Sequence, residues 1–574
     1  MNLSTHNGKM VMMTRKPKIL FCTEASFMHT GYSIYTKEVL SRLHDTGKYE
    51  LAEFACYSSY DDIRRKGIPW RFYANAPLEE NQEEYNHYMS NSTNQFGEWR
   101  FEDVCLDFQP DIVWDIRDWW MCSFEEKSPF RPFYHWVLMP TVDSAPNQEE
   151  WLATYMDADD IFAYSEYGKE VLEKETNGLI KVRDICSPAA DPEAFTPPLD
   201  RKAFRAEMGF EDDIFIIGTV MRNQKRKLYP ELINAFAKFV DRYPKLGKKT
   251  YLYLHTTYPD LGWDIPRLIR ESGVASKILV TYDCKDCDYT FPSFFKDART
   301  LCPPTNTVSA FMPTTNSGVS SEQLANIINC FDVYVQYSIC EGFGMPQVEA
   351  AFCGVPVMSV DYSAMSSVVR NVGGVPIKCK LFREYETHTY RAYPDEEDFI
   401  EKLYDYLMKS ESEKRAMSEK THRLATDRYS WDQTAKKWED YFDSVPLKPL
   451  ETTWGSDPRI HNPSEEIPTN LSKKDFIEWC ICNIWGEPDK MNSYLSQRML
   501  RDLNVGFTVT PTNGCYHMDE SSVFAERRRS QVPYTSKEVI EFCQGMCEVK
   551  NYWEQVRVNP SDYIPDFIGA ASPQ

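Results

Sequence analysis

The 574-residue sequence has no apolar run approaching the roughly eighteen consecutive positions that a membrane-spanning helix needs. Its opening stretch, MNLSTHNGKMVMMTRKPKILFC, lacks the apolar core of a signal peptide, because KILFC reads better as a first β-strand. There is no long internal repeat and no low-complexity run. Net positive charge is also missing: 86 acidic against 64 basic residues leave −22, which argues against a non-specific nucleic-acid binder. The local basic clusters Arg64-Arg65-Lys66 and Arg527-Arg528-Arg529 read as solvated faces or loops. The 17 cysteines are odd in number and scattered through strand-like and helical segments. They fit a reducing compartment, and hence the cytoplasm, rather than a disulfide scaffold.

What is present is a chain able to bury large cores, with 42% hydrophobic and 14% aromatic residues. Its length suggests three or four structural units. Short apolar runs alternate with amphipathic stretches. In the first half, Lys18 to Cys22, Leu51 to Ala55, Asp111 to Asp115, Tyr134 to Leu138 and Asp160 to Tyr164 read as strands, with helices such as Tyr32 to Leu43 and Gly168 to Thr176 among them. A proline-dense linker, from Ser187 to Pro198, precedes a second series: strands at Ile214 to Val220, Thr250 to His255 and Lys277 to Thr281, and a helix from Leu228 to Tyr243. Strands alternating with helices imply parallel sheets covered on both faces. Two such halves leave a cleft between the carboxyl edges of the strands, where ligands bind in this class of sheet.

The most informative stretch is EGFGMPQVEAAFCGVPV, from Glu341 to Val357. Asp332 to Gln336 reads as the strand before it and Val355 to Ser359 as the strand after it. Pro346 to Cys353 reads as a helix with proline in its first turn and Gly354 at its end. A strand, a glycine turn and a helix N-terminus together make an anion site, where free N–H groups and the positive end of the helix dipole converge. Glu341 and Glu349 stand eight positions apart. Glu349, about one turn into the helix, is placed to reach a hydroxyl-bearing ligand whose phosphates rest on Gly342 to Gly344. As a bare pair of carboxylates, they also fit an ordinary loop–helix junction.

The whole string resembles the sugar-nucleotide site of the family 4 retaining glycosyltransferases. Their pattern, E-G-F-G-x-x-x-x-E-A-x-x-x-G-x-P-V, is met here at every fixed position. The resemblance covers about residues 15–445 and is strongest over 214–230 and 325–365. It implies an α/β fold of the GT-B type, with two doubly wound, Rossmann-like parallel-sheet domains facing a cleft, plus a C-terminal extension. Residues 15–190 would be the N-terminal, acceptor-side domain, with an irregular insertion at about 64–100. Residues 208–430 would be the nucleotide-sugar domain and 431–445 a helix crossing back to the first domain. Residues 450–574 would be an appended tail of unknown role.

The resemblance implies a retaining, metal-independent transfer from a nucleoside-diphosphate sugar to a hydroxyl acceptor, with no cofactor. Arg222 and Lys227, five apart after the Ile214 to Val220 strand, match the Arg and Lys that grip the diphosphate in that family. A bidentate guanidinium plus a point charge would neutralise the leaving phosphate without a metal. Lys225 and Arg226 read as solvated. Glu341 would contact a donor-sugar hydroxyl and Glu349 the ribose hydroxyls, with Gly342, Phe343, Gly344 and Met345 lining the donor. Gly31, in Thr30-Gly31-Tyr32-Ser33, is similar to the glycine loop of the family's N-terminal domain. His255 ends a strand at the edge lining the nucleotide cleft. Asp143, in Met139 to Pro146, is a candidate for the donor sugar or acceptor hydroxyl, or else caps the following turn.

The linker departs from the family. Its linker H-G-V-D-x-x-x-F-x-P appears as Ser187-Pro188-Ala189-Ala190-Asp191-Pro192-Glu193-Ala194-Phe195-Thr196-Pro197, without His-Gly. Cys284-Lys285-Asp286-Cys287, followed by Cys302-Pro303-Pro304-Thr305, reads as a structural zinc ribbon with Thr in the fourth position. The acceptor stays open among a glycan, a small molecule, a protein and, for a bacteriophage-type member, a modified base in DNA. The rival activities are a sugar phosphorylase on the same fold and a catalytically idle GT-B binding or assembly subunit.

Overall fold

Strand β1 (Lys18–Glu24) is buried at all five of its inner positions, as expected for a strand covered on both faces of a parallel sheet. β2 (Glu50–Cys56), β3 (Arg71–Ala74), β4 (Ile112–Asp115), β5 (His135–Leu138), β6 (Asp160–Ala163) and β7 (Val182–Ile185) join it. All neighbours pair in parallel, in the order β3-β2-β1-β4-β5-β6-β7. This computed structural model describes residues 15–449 and Trp454, apart from Pro129, Pro132, Thr315 and Asn316. The tail expected from residue 450 therefore lies outside the described residues, except for Trp454. That indole sits against Phe130 and Phe133 and donates to the Pro110 carbonyl at 3.2 Å.

The second sheet begins with β8 (Phe215–Val220), β9 (Thr250–His255) and β10 (Ile278–Cys284). Next come β11 (Tyr289–Phe294), β12 (Arg299–Cys302) and β13 (Thr307–Phe311), then β14 (Val333–Gln336), β15 (Val357–Val360) and β16 (Val375–Ile377). Its parallel part runs β10-β9-β8-β14-β15-β16. β11, β12 and β13 add an antiparallel extension at the β10 edge. A separate hairpin pairs β17 (Cys379–Arg383) with β18 (Tyr390–Pro394).

The stretch 64–100 has no sequence period, yet it supplies β3, which pairs in parallel with β2, and a helix at Gln82–Ser90. A four-residue edge strand is too short to show alternation. The antiparallel extension and the β17–β18 hairpin were likewise not read from the sequence, because their half-exposed strands carry polar residues on one side.

The helix Trp431–Ser444 starts on a Ser430 cap and buries Trp431, Ala435, Trp438 and Phe442, the stripe expected from helical spacing. These side chains enter the first sheet's core. Trp438 lies 4.5 Å from the Trp114 ring and 4.3 Å from Phe162, and its indole N–H donates to the Tyr35 hydroxyl at 2.7 Å. The chain thus leaves the first half, builds the second, and returns to complete the first. Trp438→Ala should lower unfolding stability by about 3–5 kcal/mol through cavity formation and loss of the hydrogen bond to Tyr35, whose hydroxyl keeps its bond to the Cys186 carbonyl, checked by denaturant titration.

Candidate functional site

The site grows from loops that leave the carboxyl ends of both sheets. After β14 the chain turns through Glu341 to Gly344 and enters the helix Met345–Phe352. Gly344 caps that helix with φ of +88°, a left-handed conformation that favours glycine, and a Cβ there would also lie 2.4 Å from the Gln347 amide nitrogen. A Cβ on Gly342 would lie 2.4 Å from Cγ2 of Thr141, which follows β5 in the other half. The glycines thus set the turn and permit close approach of the two halves.

Glu341 is buried, and its carboxylate is held by three donors. Arg226 donates to Oε2 at 2.6 Å, Gln336 donates to Oε1 at 2.8 Å, and the Lys227 ammonium also donates to Oε1. Burial alone would raise its pKa, but Arg226 and Lys227 overcome that and hold it at about 2. For Lys227, burial followed by repulsion from Arg226 outweighs the pull of Glu341, and its pKa falls to about 8. Arg226, expected in solvent, is instead a partner of Glu341, although its side chain keeps 39% exposure.

Arg222 lies apart from this cluster. It is 46% exposed and forms a two-point pair with Asp260, Nε to Oδ2 at 3.0 Å and Nη2 to Oδ1 at 3.2 Å. Across the cleft, the Glu24 carboxyl at the end of β1 has a raised pKa. Burial dominates, while a hydrogen bond from Thr30 and the charge of Arg222 pull it down.

Glu349 faces the opposite situation. It is buried, its Oε2 has no hydrogen-bond partner, and burial raises its pKa to about 7. The buried Oε1 of Gln347, two residues earlier, is also without a partner. Buried polar atoms are nearly always satisfied, so two such atoms without partners on one helix beside the glycine turn are a candidate place for a ligand's polar groups.

The remaining candidates are partly gathered here. Thr30 caps the first helix through its hydroxyl, and a Cβ on Gly31 would lie 3.7 Å from the Met345 sulfur, so these two face each other across the cleft. Phe343 packs its ring edge-on against Tyr429 at 5.7 Å, leaving its backbone to the turn. Asp143 accepts from Arg391 of β18 at 2.8 Å and from the Cys340 thiol at 3.1 Å, so it bridges the two halves. His255 turns toward β10, with Nδ1 2.9 Å from the Thr281 hydroxyl, and burial lowers its pKa to about 4.

One group was missed in the sequence. Asp118 lies just beyond β4 beside Thr141 and Tyr32, whose hydroxyls are 2.6 Å apart. Burial, then the charge of Asp143, raises its pKa to about 6, against hydrogen bonds from Thr141 and Tyr32. Its position at the sheet's carboxyl edge was the available signal.

Cys284, Cys287 and Cys302 place their sulfurs within 4.8 Å of one another, at the far edge of the second sheet. Among the described residues no helix is long and apolar enough to cross a membrane.

The Glu349 carboxyl provides a pH test with a definite sign. A carboxyl pKa raised in the folded state means that the folded chain binds the proton more tightly. Stability is therefore lost as pH rises from the ordinary carboxyl value to about 7. Glu349→Gln removes that penalty. It should match the parent near pH 4 and exceed it by about 2–3 kcal/mol at pH 8, in urea titrations at both pH values.

Residues 316–423 match the family described as Glycosyl transferases group 1. The D-inositol 3-phosphate glycosyltransferase of Stackebrandtia nassauensis is 26% identical over 189 residues, 32% of this chain and 34% of that protein. Its counterpart from Corynebacterium urealyticum is 24% identical over 270 residues, 46% and 52% of the respective chains. The chain thus spans about a third to a half of the length of these curated relatives. The sucrose-phosphate synthase of Thermosynechococcus elongatus superposes with a TM-score of 0.54 at 15% identity, covering 75% of this chain and 98% of that one. HepE of Anabaena, solved in complex with UDP and glucose, gives 0.52 at 13% identity, over 75% and 100%. The chain therefore has the GT-B fold, and its residues 316–423 are similar to the Glycosyl transferases group 1 family.

Proposed function

We propose that this protein is a retaining glycosyltransferase that moves a sugar from a nucleoside diphosphate to a hydroxyl acceptor without a metal. The observation that carries this reading is the contrast between the two motif carboxylates. Glu341 is ionised and fully engaged with cations, whereas Glu349 is buried with an orphan oxygen one helical turn beyond the anion-binding glycines. A nucleotide sugar fits both. Its ribose hydroxyls would satisfy Glu349, its diphosphate would rest on the Gly342–Gly344 amides, and a sugar hydroxyl would meet Glu341.

Around Glu341, one carboxylate faces two cations, which leaves one unit of positive charge for the phosphate. Arg222 supplies another once it exchanges Asp260 for phosphate oxygens. As the bond between the sugar's anomeric carbon and the phosphate oxygen breaks, charge grows on that oxygen, and fixed cations act most strongly at that point. The acceptor oxygen bonds to the anomeric carbon on the same face, and its proton passes to the departing phosphate. The product leaves with retained configuration, together with the nucleoside diphosphate. Asp143 and Asp118 lie on the side of the cleft formed by the first sheet and face the sugar and acceptor hydroxyls.

Arg222→Ala should lower kcat by about 10²–10³-fold with a smaller change in donor affinity, because its role grows as the leaving group gains charge. Glu349→Ala should instead weaken donor binding by about 10–100-fold at nearly unchanged saturated turnover. Both are read from initial rates with a panel of nucleotide sugars, alongside calorimetric titration of the donor. Unaltered kcat in Arg222→Ala defeats the mechanism, and absence of any nucleotide-sugar binding by the parent protein favours an idle scaffold. Inversion of the anomeric configuration in the product would exclude the retaining step.

A further inference from the structure

The antiparallel extension of the second sheet, which holds none of the residues assigned to the donor above, gathers three thiols. Cys284 ends β10, Cys287 lies in the turn that follows, and Cys302 ends β12. The three sulfurs lie within 4.8 Å of one another, and those of Cys287 and Cys302 are 3.5 Å apart. A disulfide needs about 2.05 Å. Tetrahedral zinc with Zn–S bonds of about 2.3 Å sets its sulfurs about 3.8 Å apart, which is the spacing that these thiols approach.

The two turns have the same form. Cys284-Lys285-Asp286-Cys287 links β10 to β11, and Cys302-Pro303-Pro304-Thr305 starts the turn from β12 to β13. Each presents its first residue from a strand end and its fourth from the turn, as paired zinc knuckles do. In the second knuckle the fourth residue is Thr305. Its hydroxyl lies 3.3 Å from that of Ser309, which in turn lies 3.2 Å from the Cys284 sulfur. Hydroxyls are poor zinc ligands but good partners for a bound water. Cys284 and Cys302 are buried while Cys287 is exposed, so solvent reaches the cluster from one side.

We propose that Cys284, Cys287 and Cys302 bind one zinc ion as thiolates, with a water held by Thr305 and Ser309 in the fourth position. Binding displaces the thiol protons to solvent and involves no oxidation. The ion would close the two hairpins onto each other and fix the knuckle turn against the Ser321–Asn329 helix, where Gln323 donates to Asp288 at 2.9 Å. The inference rests on the geometry of these thiols alone, so it stands whether or not the transfer reading does.

The test uses the full chain purified from zinc-supplemented medium. One zinc per chain by elemental mass spectrometry is expected, with loss of that zinc in the Cys287→Ser, Cys302→Ser double variant and unchanged calorimetric binding of the donor. Thr305→Cys should complete a four-thiolate set and slow zinc loss to a chelator. Should the double variant fail to fold, the parent protein decides the matter. Cobalt loading must give a thiolate-to-metal charge-transfer band, and peptide mapping must show Cys284, Cys287 and Cys302 protected from alkylation until the metal is chelated. A metal-free chain after zinc loading, zinc retained by the folded double variant, or a Cys287–Cys302 disulfide in the unreduced map would overturn the proposal.

Discussion

The candidate donor site depends on how Glu341 is kept ionised out of water. Moving a carboxylate into a protein interior costs several kcal/mol even after relaxation, and only close opposite charge with good hydrogen bonds offsets that. Arg226, Lys227 and Gln336 provide both. The three come from two separate segments, the turn after β8 and the end of β14, which are adjacent strands of one parallel sheet. The local ladder is extended by a bridge between Lys227 and Ser338, which holds the two turns side by side. Sheet topology, more than either turn's own preference, brings the basic and acidic halves of the cluster together.

The same requirement for adjacency couples the two halves of the molecule. Thr141 sits where any side chain on Gly342 would stand, Asp143 reaches Arg391, and Glu24 feels the charge of Arg222. Further contacts flank the cleft: Gln148 donates to the Thr387 carbonyl at 2.8 Å, and Asn371 reaches the Glu166 carboxylate at 3.3 Å. The returning helix then seals the first sheet's core with Trp438. Because that helix is the last element among the described residues, the first sheet's core is complete only when the whole described chain has folded.

How much of this could be read from residues alone depended on whether the signal was local. Strands buried on both faces announce themselves as continuous apolar runs, so β1, β4, β5, β8 and β9 were legible, as was the proline-opened helix after Gly344. The place of Glu349 was legible because it follows from one local helix. Arg226 was not. In a basic turn, adjacent cations ordinarily diverge toward solvent, and only the position of Glu341 on the neighbouring strand bends both Arg226 and Lys227 to one carboxylate. Asp118 was hidden for the same reason, since Thr141 and Tyr32 reach it from other segments. The three cysteines were legible as a pattern, but only the pairing of β10, β12 and β13 brings their sulfurs together.

A chain with a formal charge of −22 is a poor long-range attractor for a nucleotide diphosphate. Salt screens surface charge within about 8–10 Å, so on the proposed reading short-range cations do the recognising. A buried lysine without a partner, however, gives up its proton, because desolvation disfavours the charged form. Even with Glu341 beside it, Lys227 falls to about 8, with burial and the neighbouring Arg226 both working against its charge. Remove the carboxylate, and the ammonium would be neutral at the pH where a phosphate needs it. The acidic member of the motif is thus what keeps the basic member charged. On the proposed reading, a residue that looks opposed to anion binding is what supports it.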